Sequence, residues 1–240
     1  MTKLVTATAL MQIVEKQLIG LDDDIRQLVP ELAAAQILKP ILTDDDKIRL
    51  GSNGNAITLR QLLTHTSGFG YDVADPDIQK WSTSVGRKDK AFDQTREGWN
   101  TPLSFTPGAS WKYGTGIDWA GQVLEKVTGQ RLGAYMSDNI FKPLGMADTT
   151  FNRAGSAVNL TGRILECCYR TSDGSLVGGP PPAPEDPSQD SGGSGLFSTA
   201  RDYSVFIQAL LADSRGQGTL LLKPTVDEMF RQQLNDTQMD

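Results

Sequence analysis

The first 24 residues, MTKLVTATALMQIVEKQLIGLDDD (residues 1–24), determine the fold that we expect for the whole chain. From Leu4 to Ile19, aliphatic side chains cover more than one face of a helix, which is typical of a helix packed inside a protein. Gly20 is a suitable residue to end it. Lys3 stands at its start, where the positive pole of the helix dipole disfavours a cation. It is therefore either an exposed lysine at a ragged terminus or an amine with a catalytic role.

The composition excludes several classes of protein. The 240 residues contain 23 Lys and Arg against 29 Asp and Glu, and a net charge of -6 gives a nucleic-acid partner no electrostatic support. No apolar run approaches the roughly 20 residues that cross a bilayer. Cys167 and Cys168 are adjacent and have no third cysteine to pair with, so we predict reduced thiols in a cytoplasmic protein. His65 is the only histidine, and neither a metal site nor any other cofactor is predicted.

Most of the local signals along the chain are helical. Thr58 to Gln61 form a capping box, and a helix predicted over Ile117–Val127 is closed by Gly129. Pro224 starts the last helix, with Thr225 to Glu228 as a second capping box. Further helices are predicted over 25–37 with an interruption at residue 30, near 78–82, over 132–141 and over 199–211.

Strand and loop signals are weaker, and we expect one domain over residues 1–240. The composition is strand-like at 149–151 and 163–170, and a charged loop is predicted over 43–55. Residues 177–195 hold five prolines, so they are predicted to form a long loop, either a gate for the substrate or an inert surface segment.

Two other stretches contain candidate residues for a catalytic or binding site. In FTPGASWKYGTGIDWAG (residues 105–121), Tyr113 lies in a glycine-rich turn before a helix, as a core tyrosine or as part of a site. Asp118 is predicted to cap that helix rather than to pair with Lys112. In LLTHTSGFGY (residues 62–71), His65 is expected to bond loop backbone, because the motif offers no carboxylate to orient it as a base.

Together these segments resemble the class C β-lactamase-related superfamily of penicillin-binding-protein-like serine esterases and acyltransferases. The stretches WKYGTGIDWAG (residues 111–121) and IFKPLGMADTTF (residues 140–151) resemble its fungal branch of statin-side-chain transesterases. The similarity runs in the right order from Met1 to about Leu234. It implies an α+β fold of the β-lactamase/transpeptidase-like type, here mostly the helical part, with much of the central antiparallel sheet missing. The segments that carry the resemblance are 1–25, 57–71, 105–151 and 192–211.

The resemblance also implies a Ser-x-x-Lys motif in which Lys3 is the lysine. Met1 and Thr2 are then the two intervening residues, and the serine is expected directly before Met1. The family's final Lys/His-x-Gly motif is expected beyond Asp240. We therefore expect a chain truncated at both ends, marginally stable or inactive by itself.

In the family's chemistry, Lys3 would be the general base and Tyr113 the residue that relays the proton to the leaving group. The substrate is expected to be a small ester or thioester acyl donor, with an alcohol as a possible acceptor. Thr115 replaces the asparagine of the lactamase pattern, which favours carboxylic esters over β-lactams. The residues expected to bind substrate are Trp111, Thr115, Gly193, Gly195 and Leu196.

Several interpretations remain open at this point. The protein could be a non-catalytic binding or scaffold protein of the same fold, or could have β-lactamase or D-Ala-D-Ala carboxypeptidase-like activity. A Ser/His/Asp hydrolase would have to use His65. The glycines at 192, 193 and 195 form either a tight turn at a pocket wall or a flexible loop. The four tryptophans at 81, 99, 111 and 119 line an acyl pocket or, for at least two of them, pack in the core.

Overall fold

The structure, a computed structural model, describes residues 1–39, 48–153, 160 and 162–239. Helices dominate this part of the chain. The longest helix, Ala200–Ser214, has 15 residues, and no helix among the described residues is both long and apolar enough to cross a membrane. The helices are α1 (Thr2–Glu15), α2 (Pro30–Ala33), α3 (Leu59–Leu63), α4 (Pro76–Ser84), α5 (Arg96–Trp99), α6 (Gly116–Thr128), α7 (Leu132–Met136), α8 (Lys142–Leu144), α9 (Ala200–Ser214), α10 (Lys223–Phe230) and α11 (Asp236–Met239).

Two antiparallel hairpins are the sheets of the described chain. Strand β1 (Gln36–Lys39) pairs with β2 (Arg49–Ser52), and β3 (Cys167–Arg170) pairs with β4 (Leu176–Gly179). Of the charged loop predicted over 43–55, the part up to residue 47 lies outside the described residues, and the later part contains β2. This combination of many helices and little sheet agrees with the fold predicted from the sequence.

Helix α1 lies at the centre of the core. Its residues Val5, Ala9, Leu10 and Ile13 have no exposed surface, and the helix packs against α6 and α7. The prediction of an interior helix is therefore confirmed. Burial of each such aliphatic side chain is worth about 1.5–3 kcal/mol, so the position of α1 is set by its apolar surface.

The end of α1 differs from the prediction, which placed it at Ile19. The helix ends at Glu15 because Gln17 adopts a left-handed conformation with φ of 56°. The amide of Leu18 donates to the Ile13 carbonyl at 3.1 Å, and that of Gln17 donates to Val14 at 2.9 Å. This is a Schellman motif with glutamine in the position that glycine usually occupies.

Two of the predicted caps, at Thr58 and at Gly129, are confirmed. The Thr58 hydroxyl accepts from the Gln61 amide, and the Gln61 side chain accepts from the Thr58 amide. Gly129 ends α6 with φ of 71°. The second capping box, at Thr225 to Glu228, is wrong, because α10 begins at Lys223 and Thr225 therefore lies inside the helix. The Glu228 carboxylate pairs with Arg60 at 2.6 Å.

The weak strand signals are confirmed only in part. Thr150 forms a single bridge with Phe197, and the stretch predicted over 163–170 is a strand from Cys167 onward. Residues 177–179 belong to β4, so the long loop predicted from 177 begins only at residue 180. Cys167 and Cys168 are free thiols.

Candidate active site

The amine of Lys3 points toward the interior from the first turn of α1. Its Nζ donates to the carbonyl of Gly193 at 2.8 Å and to the hydroxyl of Tyr71 at 3.3 Å. The helix places it there because the next turn of α1 is buried against α6. Lys3 is thus held by two hydrogen bonds rather than extended into solvent.

Tyr113 faces this amine. The Lys3 Nζ lies 4.6 Å from the centroid of the Tyr113 ring and 5.7 Å from that of Tyr71, within the range of a cation–π contact. Half of the Tyr113 surface is exposed, so its phenol borders open solvent. The structure therefore brings together the two residues that the sequence singled out for catalysis.

The loop that carries Tyr113 is fixed by His65. The amide of Lys112 donates to the His65 carbonyl at 2.9 Å, and the amide of Gly114 donates to its Nδ1 at 3.4 Å. The His65 ring also contacts the Tyr113 ring, with centroids 4.7 Å apart. The expectation that His65 bonds loop backbone is confirmed.

His65 is poorly suited to act as a base. Burial, with a smaller effect from the charge of Lys3, lowers the pKa of His65 from 6.5 to about 4. Its imidazole is neutral at pH 7, and Nδ1 already accepts a backbone amide. The backbone has φ of 60°, a left-handed conformation that is uncommon outside glycine and asparagine. Such strain is held in place by its surroundings, and here it sets the path of the loop.

Tyr71 is a site residue that the sequence reasoning missed. Its hydroxyl accepts from Lys3, and its ring stacks on Phe92 with centroids 5.4 Å apart. Burial, followed by the charges of Asp118 and Tyr113, raises the pKa of Tyr71 well above its usual 10, so it remains a neutral phenol. The available signal was its place as the last residue of LLTHTSGFGY, six positions after His65.

Asp118 corrects both roles predicted for it. The N-cap of α6 is Thr115, and Lys112 pairs with Asp75 at 2.6 Å. The Asp118 Oδ1 instead accepts from the Ser191 hydroxyl at 2.5 Å and from the Gly193 amide at 2.9 Å. Burial raises the pKa of Asp118, whereas these hydrogen bonds oppose that rise. We call residues 191–193, which lie between Asp118 and Lys3, the glycine strap.

The five residues expected to bind substrate occupy different places. Trp111 is exposed and stacks on Tyr113, with centroids 6.3 Å apart, and Gly193 contacts Lys3. Thr115 is fully buried and donates to the carbonyl of Trp99 at 3.3 Å, so its side chain faces the core. Its predicted contact with substrate is therefore wrong for the side chain.

The other two of these five residues lie beside the strap. Gly195 is buried against the ring of Phe151. Leu196 lines an open cavity of about 550 Å³ together with Met1 and Tyr203. Its amide donates to the Thr2 hydroxyl at 3.3 Å, which ties this cavity to the start of α1.

At least two of the four tryptophans pack in the core, as predicted. Trp99 and Trp119 have no exposed surface and meet edge to face, with centroids 6.1 Å apart. Trp81 is half-buried beneath Arg87. Trp111 is the tryptophan whose ring contacts Tyr113, and its place in an acyl pocket stays a prediction.

Comparison with known proteins now decides the family, because residues 1–240 match the beta-lactamase family along their whole length. The chain belongs to this family. Among its beta-lactamase relatives, lovastatin esterase from Penicillium rubens is 38% identical over 97% of this chain and 58% of its own length. Monacolin J acid methylbutanoyltransferase from Aspergillus terreus is 34% identical over 96% of this chain and 55% of its own.

Solved beta-lactamase relatives show the same fold. The LovD6 mutant of simvastatin synthase from Aspergillus terreus superposes with a TM-score of 0.84 at 34% identity, covering 98% of this chain and 54% of that chain. The prediction of a β-lactamase/transpeptidase-like fold is confirmed. The chain spans little more than half the length of the curated relatives it matches.

Proposed function

We propose that this chain carries the lysine and tyrosine of a serine-type esterase or acyltransferase site. The observation that carries the proposal is the contact between the Lys3 amine and the Tyr113 ring, at 4.6 Å, at the first turn of a buried helix. A held amine beside an exposed phenol provides a base next to a proton carrier. This pairing suits acyl transfer better than simple binding.

The nucleophile in this proposal is a serine one helical turn before Lys3, at the position directly preceding Met1. Residues three apart on a helix share a face, so its hydroxyl would lie beside the amine. Lys3 takes the hydroxyl proton as the serine oxygen attacks the acyl carbonyl. Tyr113 gives its phenol proton to the departing alkoxide or thiolate and takes the serine proton from Lys3, so both groups return to their starting protonation. The products of this half-reaction are a free alcohol or thiol and an acyl-serine ester.

The second half-reaction reverses these roles. Water or an acceptor alcohol gives its proton to the same base and attacks the acyl-serine ester. The acid or the new ester leaves, and the serine oxygen regains its proton. An open phenol at Tyr113 supports both steps, because leaving group and acceptor must each reach it from solvent.

The substrate class rests on the relatives. The names lovastatin esterase and monacolin J acid methylbutanoyltransferase describe the cleavage of an ester and the transfer of a methylbutanoyl group. We propose a short branched acyl ester or thioester as donor and a bulky alcohol as one acceptor. Trp111 stacked beside Tyr113 supplies a flat apolar surface for such a ligand. A cytoplasmic location and the lack of a nucleic-acid partner stay predictions.

The test compares the 240-residue chain with the same chain carrying one serine added directly before Met1. With p-nitrophenyl butyrate, we expect a single butyryl adduct on the added serine, measured by mass spectrometry, and no turnover by the chain without it. Lys3→Met and Tyr113→Phe in the serine-bearing chain should each slow acylation by about 100-fold, because each removes one proton-transfer group.

Helix α1 provides a matched control pair at its other end. Lys16 lies 5.3 Å from the ring centroid of Tyr135 and donates to its hydroxyl at 3.2 Å. Lys16→Met and Tyr135→Phe should leave acylation unchanged. The proposal is wrong if no adduct forms, if the adduct survives loss of both Lys3 and Tyr113, or if the chain without the serine turns over substrate.

A further inference from the structure

The glycine strap is hydrogen-bonded to α1 at two consecutive carbonyls. Lys3 Nζ donates to the Gly193 carbonyl at 2.8 Å, and Thr6 Oγ1 donates to the Gly192 carbonyl at 2.8 Å. Lys3 and Thr6 are one helical turn apart, so they lie on the same face of α1. These two hydrogen bonds therefore fix the position of the Lys3 amine relative to the glycine strap.

On its other side the strap is bonded to α6 through Asp118. The carboxylate accepts the Gly193 amide at 2.9 Å and the Ser191 hydroxyl at 2.5 Å. Asp118 is fully buried, and the chemistry proposed above does not use it. A buried carboxylate is costly unless its hydrogen bonds are made, so these two bonds determine where the strap lies.

Neither glycine of the strap has room for a side chain. A Cβ on Gly192 would lie 2.7 Å from the carbonyl oxygen of Ile117, and one on Gly193 would lie 2.5 Å from Asp118 Oδ2. Because Gly193 donates its amide to Asp118 and accepts the Lys3 amine at its carbonyl, a displacement at Asp118 is transmitted to the carbonyl that holds the amine.

We propose that Asp118 is a positioning residue for the Lys3 amine, acting through the single peptide of Gly193. The proposal rests on the proposed function for the meaning of that amine as a base. The groups that face Lys3 are the phenols of Tyr71 and Tyr113, the neutral imidazole of His65 and Asp118, and of these Asp118 supplies the negative charge. Its role is to hold the Gly193 carbonyl in place for the amine.

The test measures amine reactivity, which requires no turnover. The chain is treated briefly with acetic anhydride, and acetylation of Lys3 is compared by peptide mass spectrometry with that of Lys142, an exposed surface lysine. In Asp118→Ala we expect the ratio to rise about fivefold, which corresponds to one lost hydrogen bond of about 1 kcal/mol. In Asp118→Asn the amide oxygen still accepts both donors, so the rise should stay below about twofold.

Asp190 provides the matched control. It is a buried carboxylate directly before the strap, but it accepts the Gly133 amide at 2.9 Å and does not contact Gly193. Asp190→Ala should loosen the loop without changing the Lys3 ratio. The proposal fails if Asp118→Ala leaves the ratio unchanged, or if Asp190→Ala raises it equally.

Partial rescue by Asp118→Asn guards against a folding defect. Circular dichroism at the labelling temperature identifies any variant that has unfolded. If Asp118→Ala is unfolded, the test uses the small rise in the Lys3 acetylation ratio that is expected for Asp118→Asn. The acylation assay reports on the proposed function and the labelling assay on the positioning, so failure of one leaves the other interpretable. Loss of acylation with an intact labelling effect would overturn the function alone.

Discussion

The two halves of the candidate site are built differently. Asp118 and Tyr71 are 1% and 6% exposed; Tyr71 accepts a hydrogen bond from the Lys3 amine, and Asp118 accepts one from the Gly193 amide. Trp111 and Tyr113, by contrast, are 44% and 50% exposed. The buried half fixes the amine in one position, and the exposed half leaves two aromatic rings open to solvent. The contrast teaches that different residues hold the amine and border the solvent, although the Lys3 amine lies only 4.6 Å from the centroid of the Tyr113 ring.

The largest effect on stability is expected from a substitution inside the glycine strap. Gly193→Ala places a methyl group 2.5 Å from Oδ2 of the buried Asp118 carboxylate. We expect a loss of about 3 kcal/mol in the free energy of unfolding, the upper end of usual overpacking costs. Urea denaturation measures it. Gly54→Ala is the control, because nothing lies within 4 Å of its Cβ, and a loss there as large as that of Gly193→Ala would contradict the close fit of the strap.

His65 lies at the border of the two halves and makes their junction sensitive to pH. Its pKa is lowered to about 4 in the folded chain, so the unfolded chain binds more protons between pH 6.5 and 4. The stability that this residue contributes is therefore complete above pH 6.5 and is lost as the pH falls toward 4. Between pH 7 and about pH 4.5 the loss should be about 2 kcal/mol.

The measurement compares urea denaturation of the unchanged chain and of His65→Asn across this pH range. Asparagine tolerates the left-handed backbone at position 65 and does not titrate there. The difference between the two curves isolates the imidazole from the carboxylates. Parallel curves would show that burial of His65 does not affect its protonation.

The two phenols that face Lys3 allow the buried and the exposed half to be compared directly. Tyr71→Phe removes a buried partner of the amine and should cost about 1 kcal/mol of unfolding free energy. Tyr113→Phe removes an exposed hydroxyl and should change stability by less than about 0.5 kcal/mol. Thermal denaturation of both variants tests this order. Equal losses would mean that the division into a buried and an exposed half is wrong.

The smallest effect on stability is expected at Trp111. Trp111→Ala should change the unfolding free energy by about 0.5 kcal/mol or less, because nearly half of the side chain is exposed. In the serine-bearing chain it should raise the KM for the butyrate ester with a smaller change in kcat, since it removes a binding surface. A loss confined to kcat would place Trp111 in the chemistry instead.

The sequence predicted helices best where a local signal is satisfied locally. The capping box at Thr58 needs only Gln61, three residues away, and Gly129 needs only its own backbone freedom. Where the helix begins at another residue, the prediction fails. Thr225 and Glu228 have the capping-box spacing, but α10 begins at Lys223, so Thr225 lies inside the helix and the Glu228 carboxylate pairs with Arg60.

In the candidate site, too, prediction from the sequence was limited to local signals and motifs. Lys3 and Tyr113 were identified by resemblance to a motif, and the structure places them in contact. Asp118 was assigned a local role because its true partner, Gly193, lies 75 residues further along the chain. No periodicity or spacing specifies such a pairing. Thr115 lies two residues after Tyr113 in the sequence, but its side chain points into the core and donates to the Trp99 carbonyl. Its proximity to Tyr113 in the sequence therefore did not predict where its side chain points.

The paired bonds from Lys3 and Thr6 to neighbouring carbonyls have a geometric consequence for α1 as a whole. Apolar packing sets where α1 lies, and two hydrogen bonds one turn apart add a directional constraint on both its rotation and its axial position. A substitution at an exposed residue such as Trp111 should therefore leave the direction of the Lys3 amine unchanged.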